Sequence, residues 1–138
     1  MNIQFESQLP DFQINNTYFY RKVLTKCAEE EHKKINYLIY HFVSDEVILN
    51  INSRFLNHQY ITDVITFNNS FLETLEGEIF ICVDEVRRNA KKHAKGNFNK
   101  ELNRVILHGM LHLIGYNDQN VMETLIMREK ESYYLGYF

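Results

Sequence analysis

Two histidines, His108 and His112, stand four residues apart in the stretch HGMLHLIGYND, which runs from His108 to Asp118. On an α-helix a four-residue step turns about 400° and rises about 6 Å, so both imidazoles leave one face and can converge on one ion. Gly115 follows three residues after His112, where a helix ends most readily on a residue that tolerates positive φ. The reversed chain then presents Asp118. Two donors from a helix and one from the following turn make the three-ligand set with an open fourth position that catalytic zinc uses. Such a position holds a water whose pKa falls from near 16 to about 7, so the catalytic group expected is a zinc-bound water held by His108, His112 and Asp118.

The spacing is that of the zinc-protease helix, HxxxHxxGxx followed by His or Asp, with one difference. The general-base Glu that follows the first His there is Gly109 here. With nothing at that position to carry a proton to a leaving amine, peptide hydrolysis is disfavoured. A pair of half-buried histidines bonded to backbone is the commoner explanation of a bare HxxxH. The Gly and the Asp at fixed offsets turn the reading toward metal.

A formal net charge of −3 provides no general attraction to nucleic acid, but the charge is unevenly spread. Arg87, Arg88, Lys91, Lys92, Lys95, Lys100 and Arg104 face the single acid Glu101 just upstream of the metal motif. Arg87, Lys91 and Lys95, at i, i+4 and i+8, would share one helix face and bind a polyanionic substrate beside the reaction centre. The alternative is a solvated helix face. His58 and His93 lie in polar surroundings and are expected to be solvated; neither is assigned to the metal. Asp63, at the head of a strand, is expected to make turn hydrogen bonds.

These side chains need a framework, and 138 residues suffice for one domain with a substantial core, taken as residues 1–138. The 45% hydrophobic content argues against disorder, and nine Tyr and ten Phe without Trp make the core aromatic. Cys27 and Cys82 form no CxxC pair, and the first residues lack a basic segment followed by an apolar one, which suggests a reducing cytosol. No apolar run approaches the about 20 residues that a membrane span requires.

Alternation of Ile3 and Phe5 predicts an edge strand over residues 2–6. A helix follows from a cap at Asn15 or Asn16 to about Lys34, then a strand over Ile35 to Val43. Ser44-Asp45-Glu46 opens a helix to about Asn57 with Val47, Ile48, Ile51 and Phe55 inward. Thr62 to Phe67 and Glu78 to Val83 are strands, separated by a polar turn and a break at Gly77. Asp84 caps a helix to about Lys95, the metal helix runs from near Asn99 to Gly115, and a last helix from about Asn120 to Leu135 carries Val121, Met122, Leu125 and Ile126. This order predicts an α+β fold in which one four-stranded mixed sheet packs against about five helices, with the metal site on a helix and turn of the C-terminal half.

With these residues placed, the chain resembles the YbeY family of bacterial rRNA maturation endoribonucleases. The family motif HGxLHLxGYDH is matched by His108, Gly109, Leu111, His112, Leu113, Gly115 and Tyr116, and its TDVLSF and GDI blocks by Thr62 to Phe67 and by Gly77-Glu78-Ile79. The resemblance implies a zinc-dependent, single-strand-specific endoribonuclease in the cytoplasm, with one zinc per chain, acting in small-subunit (16S) rRNA maturation and ribosome quality control. Its implied partners are ribosomal RNA, the ribosome or its small subunit, and ribosome-associated proteins. Two readings stand beside it: a ribosome-assembly factor with a structural metal, and a zinc hydrolase of another substrate.

The sequence departs from the family at two places. The closing Asp-His is Asn117-Asp118, which makes the third ligand a carboxylate. A two-His, one-carboxylate set also suits iron, but spacing on one helix and turn favours zinc. Where the family carries an arginine ahead of the TDVLSF block, this chain has Leu56, leaving Arg54 or the basic strip to supply that charge.

Overall fold

A computed structural model describes residues 2–138. Among them, four strands form one sheet in the order β1 (Ile3–Ser7), β2 (Lys34–Val43), β4 (Thr74–Cys82), β3 (Val64–Asn68). β1 and β4 run parallel to β2, and β3 pairs antiparallel with β4, so the sheet is mixed. Five helices complete the fold: α1 (Thr17–Glu30), α2 (Asp45–Leu56), α3 (Val83–His93), α4 (Phe98–Ile114) and α5 (Val121–Leu135).

Strand alternation decides the layers. Ile3, Leu38, Tyr40, Phe42, Leu75, Ile79 and Ile81 point to one face, where Leu24, Cys27 and Ala28 of α1 and Leu102, Val105, Ile106 and Met110 of α4 close the main core. The opposite face carries Val43, Ile65 and Cys82, covered by Ile48 of α2 in a smaller cluster. Each fully buried aliphatic or Phe side chain contributes about 1.5–3 kcal/mol, so the main core dominates the stability. Tyr40 donates from its buried hydroxyl to the Ile106 carbonyl at 2.9 Å, tying α4 to the central strand.

Gly109 sits where α4 presses on β4, and a β-carbon there would lie 2.8 Å from Cγ2 of the fully buried Ile79. Position 109 therefore faces the sheet, away from the histidines, which accounts for the absence of a protease-type Glu. Gly109→Ala would gain about 1 kcal/mol in helix propensity against an overpacking cost of about 1–3 kcal/mol. The expected result is a melting temperature lower by roughly 2–5 °C in a thermal melt. An unchanged value would mean that the two terms cancel, and a raised one that the Ile79 side chain yields to the added methyl at little cost.

Several elements differ from the sequence expectation. α1 stops at Glu30 because His32 takes a left-handed φ of 59° and Lys33 N bonds back to the Ala28 carbonyl. Asn16 makes no side-chain cap. β4 starts at Thr74 and runs through Gly77, whose missing side chain makes room for Leu113 of α4. Phe55 is 63% exposed, and the inward position one turn after Ile48 belongs to Asn52. α3 ends at His93, and Lys95 lies in the following turn at φ 52°, so Arg87, Lys91 and Lys95 do not share a helix face. On α5, Val121, Met122, Leu125 and Ile126 are exposed, and the face packed on α4 is Met127, Glu131 and Tyr134.

Candidate metal centre

α4 begins where the Asn97 side chain accepts from Lys100 N at 3.1 Å, and its buried stripe holds it against the sheet. The opposite side carries His108 and His112 toward a cleft. The helix stops at Gly115, φ 125°, with Tyr116 N reaching back to the Leu111 carbonyl at 3.0 Å, a left-handed helix end of the Schellman type. Tyr116 is anchored at its far end, its hydroxyl donating to Glu31, the residue that follows α1, at 2.6 Å with Lys130 over the ring. The turn so held returns Asp118 to the histidines.

The donor atoms converge. His108 Nε2 and His112 Nε2 are 2.9 Å apart, and Asp118 Oδ2 lies 3.4 Å from the first and 3.7 Å from the second. One ligand atom from each residue lies within 4.8 Å of the others. Donors about 2.0–2.1 Å from a shared tetrahedral ion stand roughly 3.3 Å apart, so the spacing suits a single cation.

The outer nitrogens make the case chemical as well as geometric. His108 Nδ1 faces a carboxylate oxygen of Glu131 at 2.6 Å, and His112 Nδ1 faces the Tyr116 carbonyl at 2.9 Å. Both partners are acceptors, so in the neutral rings each Nδ1 carries the proton and each Nε2 presents a lone pair. Two lone pairs and a carboxylate pointed at one another repel unless a cation lies among them. The residues present therefore fit a metal ion.

Glu131 is the functional residue that reading the sequence missed. It is 2% exposed, and Arg104 and Arg128 bond its Oε1 at 3.3 and 3.2 Å while Oε2 receives His108. Burial alone would raise its pKa, but the His108 hydrogen bond and the Arg104 charge outweigh burial and hold it below the ordinary glutamate value. The available signal was a glutamate inside the Met127, Tyr134 stripe of α5, a position that calls for an apolar side chain unless a partner awaits it. His112 is held below the ordinary histidine range, first by burial and then by neighbouring His108, which keeps the imidazole neutral.

The cleft, about 380 Å³, is lined by the three donors and by Asn52, Leu56, His58, Tyr60 and the first residues around β3. Asp63 lies among them, but its carboxylate does not close a turn: it accepts from Asn89 at 3.4 Å and lies 3.7 Å from Arg104, and burial raises its pKa. Leu56 stands on the wall, and among the described residues no Lys or Arg lines this cleft. His93 is exposed on α3 and lies outside this lining.

The basic strip is weaker than its composition suggests. Arg87 pairs with Asp84 at 2.8 Å, Arg88 with Glu85 and Asp45, each at 2.6 Å, and Arg104 is built into the Glu101, Glu131 network. Lys91 and Lys95 remain exposed.

A family model described as Endoribonuclease YbeY matches residues 2–138. The chain is 40% identical over 135 residues to the Endoribonuclease YbeY of Karelsulcia muelleri, covering 98% of this chain and 93% of that protein. It is 41% identical over 131 residues to that of Cytophaga hutchinsonii, covering 94% and 90%. Among solved structures it resembles the solution structure of TM1509 from Thermotoga maritima, with a TM-score of 0.66, 28% identity, and coverage of 98% of this chain and 87% of that one.

Proposed function

Because the chain belongs to the YbeY endoribonuclease family, we propose that it hydrolyses phosphodiester bonds of single-stranded RNA at a metal held by His108, His112 and Asp118. The observation that carries this reading is the convergence of three donors with both Nε2 lone pairs turned inward, on the wall of a cleft of about 380 Å³. We take the ion to be zinc, one per chain, because two imidazoles and one carboxylate in a compact set suit it. A bound ion of this class supplies charge stabilisation of a phosphoryl oxygen and acidification of water.

The chain's own groups do the rest. His108 and His112 turn their Nε2 atoms inward, Glu131 and the Tyr116 carbonyl fix the rings, and Asp118 adds a carboxylate donor from the turn. Arg87, Lys91 and Lys95 are proposed only as an outer attraction for polyanionic RNA, since the cleft lining contains none of them. From family membership follows the proposed setting: maturation of small-subunit ribosomal RNA and ribosome quality control in the cytoplasm, in association with the ribosome. No helix is long and apolar enough to cross a membrane among the described residues.

The test is cleavage of defined single-stranded and duplex RNAs by protein of measured metal content, before and after chelation. The expected result is cutting of single strands that stops on chelation and returns on adding zinc. Undiminished cutting by metal-stripped protein would sink the metal assignment. A metal-loaded protein that binds ribosomal subunits but cuts nothing would instead favour an assembly factor with a structural ion.

A further inference from the structure

The loop between α2 and β3 is built to hold two aromatic rings at the rim of the metal cleft. Asn52, 1% exposed, donates from its side chain to the Tyr60 carbonyl at 2.8 Å, while its own carbonyl receives His58 N at 3.0 Å. Asn57 between them takes a left-handed turn at φ 56°, and Ser53 donates to the Gln59 side chain at 3.1 Å. The imidazole of His58 and the phenol of Tyr60 stack with centroids 5.2 Å apart and planes 17° from parallel, and the Tyr60 hydroxyl lies 3.1 Å from His58 Nδ1. Although Tyr60 is 55% exposed, both residues line the cleft that contains the metal donors.

An exposed aromatic ring costs free energy in water, and a buried amide spent on holding its backbone makes the loop's conformation specific. Among the described residues no lysine or arginine lines the cleft: Leu56 stands on its wall, and its acidic side chains are Asp63 and Asp118. A phosphodiester approaching the ion therefore meets no arginine or lysine there to grip it. Unpaired bases offer a second handle, because every base has a π face that stacks on an aromatic side chain whatever its sequence.

We propose that the His58–Tyr60 pair is a nucleobase-stacking subsite, which takes one unpaired base next to the phosphate at the metal. This inference rests on the RNA reading above and adds the element that fixes the strand's register. It gives a physical reason for single-strand selection, since a base inside a duplex has no free face to offer.

The experiment is stopped-flow anisotropy, which reads binding before cleavage, on a fluorescent single-stranded oligoribonucleotide and on versions with one abasic position moved along the strand. For zinc-loaded wild type, one abasic position is expected to weaken binding by about five- to a hundredfold, the range for one stacked base. Tyr60→Ala should weaken the intact strand by a similar factor, lose nothing further at that abasic position, and keep its zinc and melting temperature. Tyr60→Phe, which keeps the ring, should restore binding. An abasic penalty equal in wild type and Tyr60→Ala overturns the subsite while leaving the nuclease reading intact. Wild type that neither binds nor cuts any of these strands overturns the RNA reading and the subsite with it.

Discussion

Asp118→Ala is expected to strip the centre of its metal and, with it, of RNA cleavage. Structural zinc sites with four ligands bind with about 10–16 kcal/mol, so one ligand is worth roughly 2.5–4 kcal/mol and its loss about a hundred- to a thousandfold in affinity. Asp118 is 41% exposed and lies in a turn, so the fold should survive its removal. The measurement is zinc affinity by chelator competition alongside a thermal melt. Full zinc retention in Asp118→Ala would remove the carboxylate from the ligand set and leave the two histidines needing another third donor.

The second large effect is expected at Glu131. Glu131, 2% exposed, is the buried member of its ion pairs, and Glu131→Ala leaves the largely buried Arg104 without one of its acceptors and His108 Nδ1 without its partner. Breaking a buried charge pair from one side costs about 3–5 kcal/mol, a large part of a small domain's stability. Glu131→Gln separates positioning from folding, because a neutral amide fills the same space and still accepts from His108. That variant is expected to fold and to bind zinc roughly ten- to a hundredfold more weakly, the usual effect of losing an outer partner of a metal-ligating histidine. Zinc affinity equal to wild type would reduce Glu131 to a structural role.

The carboxylate also sets a pH dependence. Its folded pKa lies below the ordinary glutamate value of 4.5, so the stabilisation is fully present above that value and is lost as the pH falls through the depressed one.

The convergence of the three donors was legible in the sequence because it is local. The step from His108 to His112 is one helical turn, Gly115 is demanded by a left-handed helix end, and Asp118 follows within reach of the same turn, so covalent spacing alone brings the three donors together. β-branched and aromatic content likewise placed β2 and the core of β4, and Ser44 marked the start of α2, whereas the caps formed by the Asn97 and Asn120 side chains emerge only in the structure. What no spacing encodes is which distant side chain arrives from another element. Glu131 meets His108 across the α4–α5 packing, Tyr116 is anchored by Glu31 at the end of α1, and Asn52 supports a rim loop eight residues away. Arg88 and Arg104 spend their charge on acids from α2 and α5. Phe55 and the exposed side chains of α5 have the composition of a core, but burial depends on having a partner surface, and that is decided only when helices and sheet have packed.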